Sequence, residues 1–253
     1  EQLRVAAKCS PAPIQALRVA EFIEARTERV LDDLPPFVPP QNQSPLALSV
    51  DQRQALRQVL EALATGTQQT VLLHGITGSG KTEVYMQAIH EVLGYGRSAI
   101  VLVPEISLTP QTRQRFSQRF GQVACLHSHM SPVERHFQWR RIVAGEVPVV
   151  IGPRSAVFAP LPRLGLIVID EEHDSSFKQD SQPRYHTRDV ALHRSYLEQI
   201  PLVLGSATPS LESWRRAQSG VYRLASLPRR IHNRPLPEVA VVDLRLQHAE
   251  KKI

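Results

Sequence analysis

The residues most able to do chemistry lie in a glycine-rich loop. Residues 75–82 read Gly-Ile-Thr-Gly-Ser-Gly-Lys-Thr and match the pattern G-x-x-x-x-G-K-[ST] in full. An apolar run, residues 71–73, precedes the loop and a helical pattern, residues 82–93, follows it. Glycines let backbone N–H groups curl around a phosphate, and a helix N-terminus adds positive partial charge. The loop therefore predicts a nucleotide site formed by Gly75, Thr77, Gly78, Ser79, Gly80, Lys81 and Thr82.

Two adjacent acids, Asp170 and Glu171, follow the apolar run at residues 166–169. Neighbouring side chains at a strand end point to opposite faces, so they suit one metal ligand and one base better than two ligands. We expect Lys81 to reach the β- and γ-phosphates and Thr82 to ligate Mg²⁺. Asp170 would hold the metal through water, and Glu171 would act as general base. Acids that cap the next helix are the alternative.

A third string, residues 205–209, follows the apolar run at residues 201–204. Its hydroxyls, Ser206 and Thr208, are expected to hydrogen-bond Asp170 or Glu171 and to sense the γ-phosphate. The same string also reads as a helix start with Thr208 as N-cap and Pro209 as the first helical residue. Both interpretations can hold at once.

Short apolar runs that alternate with amphipathic helices must position these residues. The runs cover residues 71–74, 99–104, 123–126, 147–151, 166–170 and 201–205. Runs without polar alternation indicate strands buried on both faces of a mostly parallel sheet that helices cover on both sides. Ser49 and Gln52 form a capping-box pattern before a helix over residues 51–63. We predict an α/β fold with the site at the carboxyl ends of the strands.

The chain divides into three parts. Residues 1–45 combine a helical signal, which Pro11 and Pro13 open and which carries Val19, Phe22, Ile23 and Val30 near one face, with a linker that holds five prolines between residues 35 and 45. Residues 46–230 form the α/β domain, and residues 231–253 form a tail. Because the chain starts at Glu1 and its last residues close no element, we expect a fragment of a longer protein.

Composition excludes some classes of protein. The longest apolar runs are far shorter than a membrane span, and no signal peptide is evident, so a cytoplasmic protein is expected. Two cysteines, Cys9 and Cys125, are too few for a disulfide framework or a zinc site. The net charge of +6 permits a polyanionic partner. Residues 111–141 hold six arginines, which indicate either a solvated surface or a phosphate-contacting face that His127 and His129 could extend: Arg113, Arg115, Arg119, Arg135, Arg140 and Arg141.

These strings resemble the motifs of superfamily 2 helicases, in order. Residues 75–82, 170–173 and 205–208 are similar to motifs I, II and III, and residues 102–111 to motif Ia. Residues 152–158 are similar to motif Ib, with Pro153 where threonine is usual. Residues 174–179 and 184–189 resemble the aromatic-rich loop of bacterial replication-restart helicases. The resemblance covers about residues 49–230 and implies a RecA-like P-loop NTPase lobe, with residues 1–45 as the possible end of a winged-helix region.

The resemblance also implies residue roles. Gln52 would read adenine, although its role as a capping-box partner is equally open. Coupling between nucleotide and nucleic acid would involve Glu172, His173, Ser206 and Thr208. The DNA path would include Glu105, Thr109, Arg154, Phe177, Lys178, Arg184, Tyr185 and His186, where aromatic rings stack on bases and basic side chains meet phosphates.

By the same resemblance, the chain is expected to be the first lobe of an ATP- and Mg²⁺-dependent 3′→5′ helicase at stalled forks. Its partners would be single-stranded and forked DNA, single-stranded DNA-binding protein and primosome proteins, near the nucleoid. The eight zinc-binding cysteines and the arginine finger of such helicases are absent here, so the isolated chain should hydrolyse ATP slowly. Alternatives are a superfamily 2 translocase of another pathway and a docking module with vestigial hydrolysis. A small-molecule kinase would leave residues 205–208 and 177–185 unexplained.

Overall fold

The computed structural model describes residues 10–24 and 46–231. The chain forms two units, Glu1–Pro36 and Phe37–Ile253. In the first, helix α1 spans Pro11–Val19 and begins at a proline, as predicted. Phe22 and Ile23 lie beyond its end, so the prediction that they share a helical face with Val19 is wrong. Val30, the proline-rich linker and the tail after residue 231 lie outside the described residues.

A seven-stranded sheet, with every neighbouring pair parallel, forms the second unit. Its strands are β1 (Thr70–Gly75), β2 (Ser98–Leu102), β3 (Val123–Cys125), β4 (Val149–Gly152), β5 (Leu164–Asp170), β8 (Leu202–Ser206) and β9 (Arg223–Leu227). Their order across the sheet is β3-β4-β2-β5-β8-β1-β9. A separate antiparallel pair, β6 (Lys178–Gln179) and β7 (Tyr185–His186), lies in the loop after β5.

Helices cover both faces of the sheet. They are α2 (Val50–Ala64), α3 (Lys81–Gly94), α4 (Pro110–Phe120), α5 (Pro132–Val143), α6 (Thr187–Glu198) and α7 (Leu211–Gln218). Successive strand residues enter different core clusters: Leu73 packs with Val84 of α3, whereas Leu72 packs with Ala191 of α6. This alternation confirms the α/β class and explains the apolar runs, because both faces of each central strand are buried. Within the described residues, no helix is long and apolar enough to cross a membrane.

The six predicted runs correspond to six of the seven strands, with ends displaced by a few residues. Strand β9 was missed. Among the described residues it is an edge strand that pairs with β1 alone, and its exposed residues, Arg223 and Ser226, break the apolar pattern. The predicted capping box is confirmed, because the Ser49 hydroxyl accepts from Gln52 N–H and the Gln52 side chain accepts from Ser49 N–H.

The register of the central strands brings the three motif strings together. Strand β8 lies between β5 and β1, with Asp170 opposite Gly205 and His74 opposite Ser206. The glycine-rich loop therefore leaves the sheet next to Ser206, and the acidic string leaves it on the other side of the same strand. As predicted, the candidate site lies at the carboxyl ends of parallel strands.

Candidate nucleotide and nucleic-acid site

The glycine-rich loop has the geometry of an anion site. Gly78 and Gly80 have φ of 83° and 84°, a region that favours glycine, and Gly80 is the N-cap of α3. No side chain caps this helix N-terminus, so its N–H groups face the loop. The Ser79 hydroxyl is buried without a hydrogen-bond partner. An orphaned donor beside uncapped N–H groups fits a phosphate. Thr77 is exposed and Thr82 is half-buried in the first turn of α3.

Lys81 connects the loop to the acids. Its ammonium donates to the carbonyl of Gly75 at 2.9 Å and pairs with Glu171 Oε1 at 3.6 Å. Burial, and next the charge of Glu171, raise the pKa of Asp170 to about 6, against the lowering effect of Lys81. The structure thus brings Lys81, Asp170 and Glu171 together, as predicted.

The turn after β5 is held in a strained conformation. Glu171 has φ of 49°, which is uncommon for a residue other than glycine, and its N–H donates to Asp170 Oδ1 at 3.1 Å. Neither acid caps a helix, because the short 3₁₀ turn that follows, Ser175–Phe177, is capped by Asp174. The capping alternative for Asp170 and Glu171 is therefore wrong.

Tyr85 is a site residue that sequence reasoning missed. It lies one turn after Lys81 on α3, is buried, and donates its hydroxyl to Asp170 Oδ1 at 3.1 Å. Burial, together with Asp170, raises the pKa of Tyr85 well above its ordinary value. A Cβ atom at Gly205, within β8, would overlap this hydroxyl, so the absence of a side chain there leaves room for the contact between Tyr85 and Asp170. Helical spacing from Lys81 is the only sequence signal that could have found Tyr85.

The hydroxyls of the third string contact His173 rather than the acids. Ser206 Oγ lies 2.8 Å from His173 Nδ1, and Thr208 Oγ1 lies 3.4 Å from Nε2. The prediction that these hydroxyls bond Asp170 or Glu171 is therefore wrong. They bond His173, and it is the imidazole that approaches Glu171, with 3.7 Å between Nδ1 and Oε2. Thr208 is also not an N-cap: α7 begins at Leu211, and Ser210 caps it.

Glu172 is the most highly connected residue of the acidic string. Its carboxylate accepts from Ser210 N–H at 2.7 Å, from the Ser210 hydroxyl at 3.1 Å and from the Ser213 hydroxyl at 3.0 Å. Arg188 completes the shell at 3.2 Å. The members of the predicted coupling set thus lie together: Glu172 contacts Ser210, and His173 contacts Ser206 and Thr208. Their role in coupling stays a prediction.

Gln52 lies beside the loop and has both ends of its side-chain amide engaged. Besides the capping box, its Nε2 donates to the carbonyl of Ser79 at 2.9 Å. The chain after β9 closes over the same place, because Ile231 N–H donates to Gly78 O at 3.0 Å and Arg229 forms a bidentate pair with Asp51. The capping role is confirmed, and adenine reading stays a prediction.

The loop between β5 and α6 is anchored by Phe177. This ring is 1% exposed and packs in the same core cluster as Leu72, while Thr187 donates to its carbonyl at 3.0 Å. The assignment of Phe177 as a DNA-stacking ring is therefore corrected to an anchor. Arg154, assigned to the DNA path, donates to the carbonyls of Ser176 and Lys178, at 3.3 Å and 3.2 Å, and so ties down the loop.

Other loop residues face outwards. Lys178 and Arg184 are exposed, and the half-buried Tyr185 meets Phe158 edge-to-face, with 5.2 Å between ring centroids. His186 caps α6 by accepting from Arg188 N–H, and burial lowers its pKa. Of the predicted DNA-path residues elsewhere, Glu105 accepts from Ser128 N–H at 2.9 Å and Thr109 caps α4.

The arginine-rich segment does not form one solvent-facing surface. The Arg119 side chain is 8% exposed, and it pairs, like Arg115, with the buried Glu83 of α3. His127 and His129 lie near each other, with ring centroids 6.3 Å apart, and the pKa of His127 is lowered by burial and by Arg113. Within the described residues, no cluster of three or more His, Cys, Asp or Glu is placed to hold a metal ion.

This parallel sheet, with a glycine-rich loop after β1 and paired acids after β5 on the two sides of β8, defines a RecA-like lobe. The chain belongs to the DEAD/DEAH box helicase family, whose model matches residues 49–217. Within that class its sequence is similar to replication restart protein PriA. It is 54% identical to PriA of Bacillus subtilis (strain 168) over 202 residues, which cover 79% of this chain and 25% of the relative.

A second relative and a solved structure extend the comparison. The chain is 50% identical to PriA of Synechocystis sp. (strain ATCC 27184 / PCC 6803 / Kazusa) over 251 residues, which cover 96% of this chain and 29% of the relative. The structure of RecG bound to a three-way DNA junction matches with a TM-score of 0.56 and 24% identity over 76% of this chain and 25% of that one, a likeness of fold. The chain spans about a quarter to a third of the length of its curated relatives.

Proposed function

We propose that this chain is the ATP-binding lobe of a DNA helicase that moves 3′→5′ and unwinds DNA at stalled forks during replication restart. The observation that carries the proposal is the meeting of the glycine-rich loop, Asp170 and Glu171 at the ends of β1 and β5, on the two sides of β8, in a chain similar to PriA. Similarity to PriA supports the restart role, and the contacts of the site support the ATPase chemistry.

ATP with Mg²⁺ fits the residues present. The uncapped N-terminus of α3 and the orphaned Ser79 hydroxyl would hold phosphate oxygens. Thr82 and Asp170 would hold Mg²⁺, which supplies neutralisation of the phosphate charge. Burial removes solvating water from the Asp170 carboxylate and so raises its pKa to about 6. A bound cation would therefore stabilise this carboxylate strongly.

Nucleotide binding would separate Lys81 from Glu171. Lys81 is bound to the Gly75 carbonyl and to Glu171, and phosphate oxygens would compete for its ammonium. Glu171 would then be free to orient water and to accept its proton. The strained turn at Glu171, fixed by Asp170 on one side and Glu172 on the other, would keep this carboxylate directed at the site.

DNA would lie across the loop and the neighbouring strand ends. Lys178 and Arg184 would meet phosphates, and Tyr185 would supply a ring for a base. Glu105, Thr109 and Arg154 lie after β2 and β4 at the same edge of the sheet. By similarity to PriA, the partners would be forked DNA, single-stranded DNA-binding protein and primosome proteins in the bacterial cytoplasm and nucleoid.

Full hydrolysis would require a second lobe with an arginine finger, which typically adds about 10³–10⁵ in rate. Residues 46–231 supply one lobe. We therefore propose that the isolated chain binds nucleotide and hydrolyses it slowly, and that unwinding belongs to the full-length protein.

Strand separation by the full-length protein tests the direction of movement. Matched duplexes that carry either a 3′ or a 5′ single-stranded tail are incubated with ATP and Mg²⁺, and Lys81→Ala serves as the inactive control. The 3′-tailed duplex should be opened and the 5′-tailed one left intact. Opening only of the 5′-tailed duplex would overturn the polarity, and absence of unwinding from both would overturn the helicase assignment.

A further inference from the structure

A buried ion pair joins Glu172 to Arg188. The Glu172 side chain is 0% exposed and that of Arg188 is 14% exposed, with 3.2 Å between Oε2 and NH1. The same guanidinium contacts the hydroxyls of Ser210 and Ser213, which in turn donate to Glu172. Four side chains thus form one closed polar cluster beneath the site.

The cluster ties together three segments that the proposed function connects. Glu172 directly follows Glu171. Arg188 is the second residue of α6 and directly follows the loop that carries Lys178, Arg184 and Tyr185. The serines lie at the start of α7, after the third motif string. The ion pair therefore lies at the base of the loop, where it links the loop's end to Glu172 and to the start of α7.

Arg188 has alternative anionic partners at the surface. Its Nε lies 3.9 Å from Asp189 Oδ1 and its NH1 lies 4.0 Å from Glu212 Oε2, and both carboxylates are largely exposed. Glu172 has no such choice, because its other partners in the described residues are neutral donors. A small movement of the guanidinium towards the surface would leave a buried carboxylate without a cation, which is strongly unfavourable. The exposed carboxylates therefore offer Arg188 a second, less favourable arrangement, whereas the structure records the one with Arg188 on Glu172.

We infer that Arg188 is a positioning residue that couples nucleic-acid contact at the loop to the conformation of the Glu171 turn, through Glu172. This inference rests on the proposed function and names a connection within it. With Arg188 seated on Glu172, the backbone on both sides of Glu172 is fixed, and Glu171 keeps the conformation that the structure records. Arg188 itself contacts neither the glycine-rich loop nor Asp170.

The test measures ATP hydrolysis by the full-length protein over a range of forked-DNA and ATP concentrations. Arg188→Gln should lower the DNA-stimulated kcat by about tenfold, which is within the range that coupling residues contribute. The KM for ATP and the affinity for DNA should stay unchanged. Arg188→Lys, which keeps the charge, should recover part of the stimulation. Arg223→Gln is the matched control, because it breaks only an exposed pair with Glu61 at 3.5 Å.

A neutral double variant separates coupling from folding. Arg188→Gln combined with Glu172→Gln leaves no unpaired buried charge, so it should unfold near the wild-type temperature and still lack stimulation. Wild-type stimulation in this variant, or an equal fall of basal and stimulated rates in Arg188→Gln, would overturn the coupling role. Failure of the wild-type protein to respond to DNA would instead overturn the proposed function, and the coupling role with it.

Discussion

In the proposed site, Lys81 is the residue on which nucleotide binding would depend most directly. In the Lys81→Ala variant of the 253-residue chain, the phosphates would lose their cationic contact and retain only the loop N–H groups. We expect nucleotide affinity to fall by about tenfold or more, equivalent to about 1.4 kcal/mol. A fluorescent ATP analogue in an anisotropy titration measures this, with Arg57→Ala on exposed α2 as the control for lost charge. Equal affinity in Lys81→Ala and wild type would place the nucleotide elsewhere.

Asp170 should cost stability at neutral pH. Its pKa is raised from 3.8 to about 6, so the folded state holds its proton more tightly than the unfolded state does. The stability that this gives is full below pH about 4 and is lost as the pH rises through about 6. Asp170→Asn removes the loss and keeps an oxygen to accept from Tyr85.

The free energy of unfolding of Asp170→Asn should therefore exceed that of wild type at pH 8 by up to about 3 kcal/mol, because burial raises the pKa of Asp170 from 3.8 to about 6. The difference should shrink towards zero at pH 4. Urea denaturation at both pH values measures it, and Asp180→Asn, at an exposed acid, is the control. A variant less stable than wild type at pH 8 would show that Asp170 is not strained by burial.

At the scale of elements, the loop before α6 divides into an anchor and a contact surface. Phe177→Ala should destabilise the 253-residue chain by about 3–5 kcal/mol, because it empties a core position. Tyr185→Ala should leave stability nearly unchanged and, in the full-length protein, reduce the stimulation of hydrolysis by DNA while sparing the basal rate. Thermal unfolding and ATPase assays separate the two. Similar losses of stability in both variants would contradict the division.

The packing of α3 against β8 gives a second prediction at this scale. Gly205→Ala would push a methyl group into the Tyr85 hydroxyl, so it should lower stability by about 1–3 kcal/mol, the usual cost of overpacking. Tyr85→Phe in the same chain should restore part of that stability by removing the hydroxyl. Calorimetry of the two single variants and the double variant checks this. Purely additive losses would mean that Gly205 is small for another reason.

Some of these elements, and some of the site, could be predicted from the sequence. Six strands were predictable because a strand that is buried on both faces of the sheet has a continuous apolar sequence. The edge strand β9 is partly exposed and has no such apolar run. The meeting of Lys81, Asp170 and Glu171 was predictable because the glycine-rich pattern places a lysine at a helix start and the acids follow an apolar strand. Tyr85 and Asp170 lie 85 positions apart, and only the folded sheet joins them. The composition of the loop could not distinguish the buried ring of Phe177 from the more exposed ring of Tyr185.

For the whole molecule, we propose that residues 46–231 form half of a catalytic site. They would place a phosphate-binding loop, a general base and a connected nucleic-acid loop on one sheet, and the transition state would need further positive charge from a second lobe. The isolated chain should therefore bind ATP while hydrolysing it at a small fraction of the rate of the full-length protein. Comparable rates per mole in the two proteins would contradict the need for a second lobe.

The most direct test of the central claim is ATP hydrolysis by the full-length protein, with and without forked DNA, in wild type and in Glu171→Gln. We expect DNA to accelerate hydrolysis by the wild type. We also expect Glu171→Gln to abolish hydrolysis under both conditions while the variant still binds nucleotide. A wild-type rate that is indifferent to DNA, or a Glu171→Gln variant that hydrolyses ATP at the wild-type rate, would contradict the proposed function.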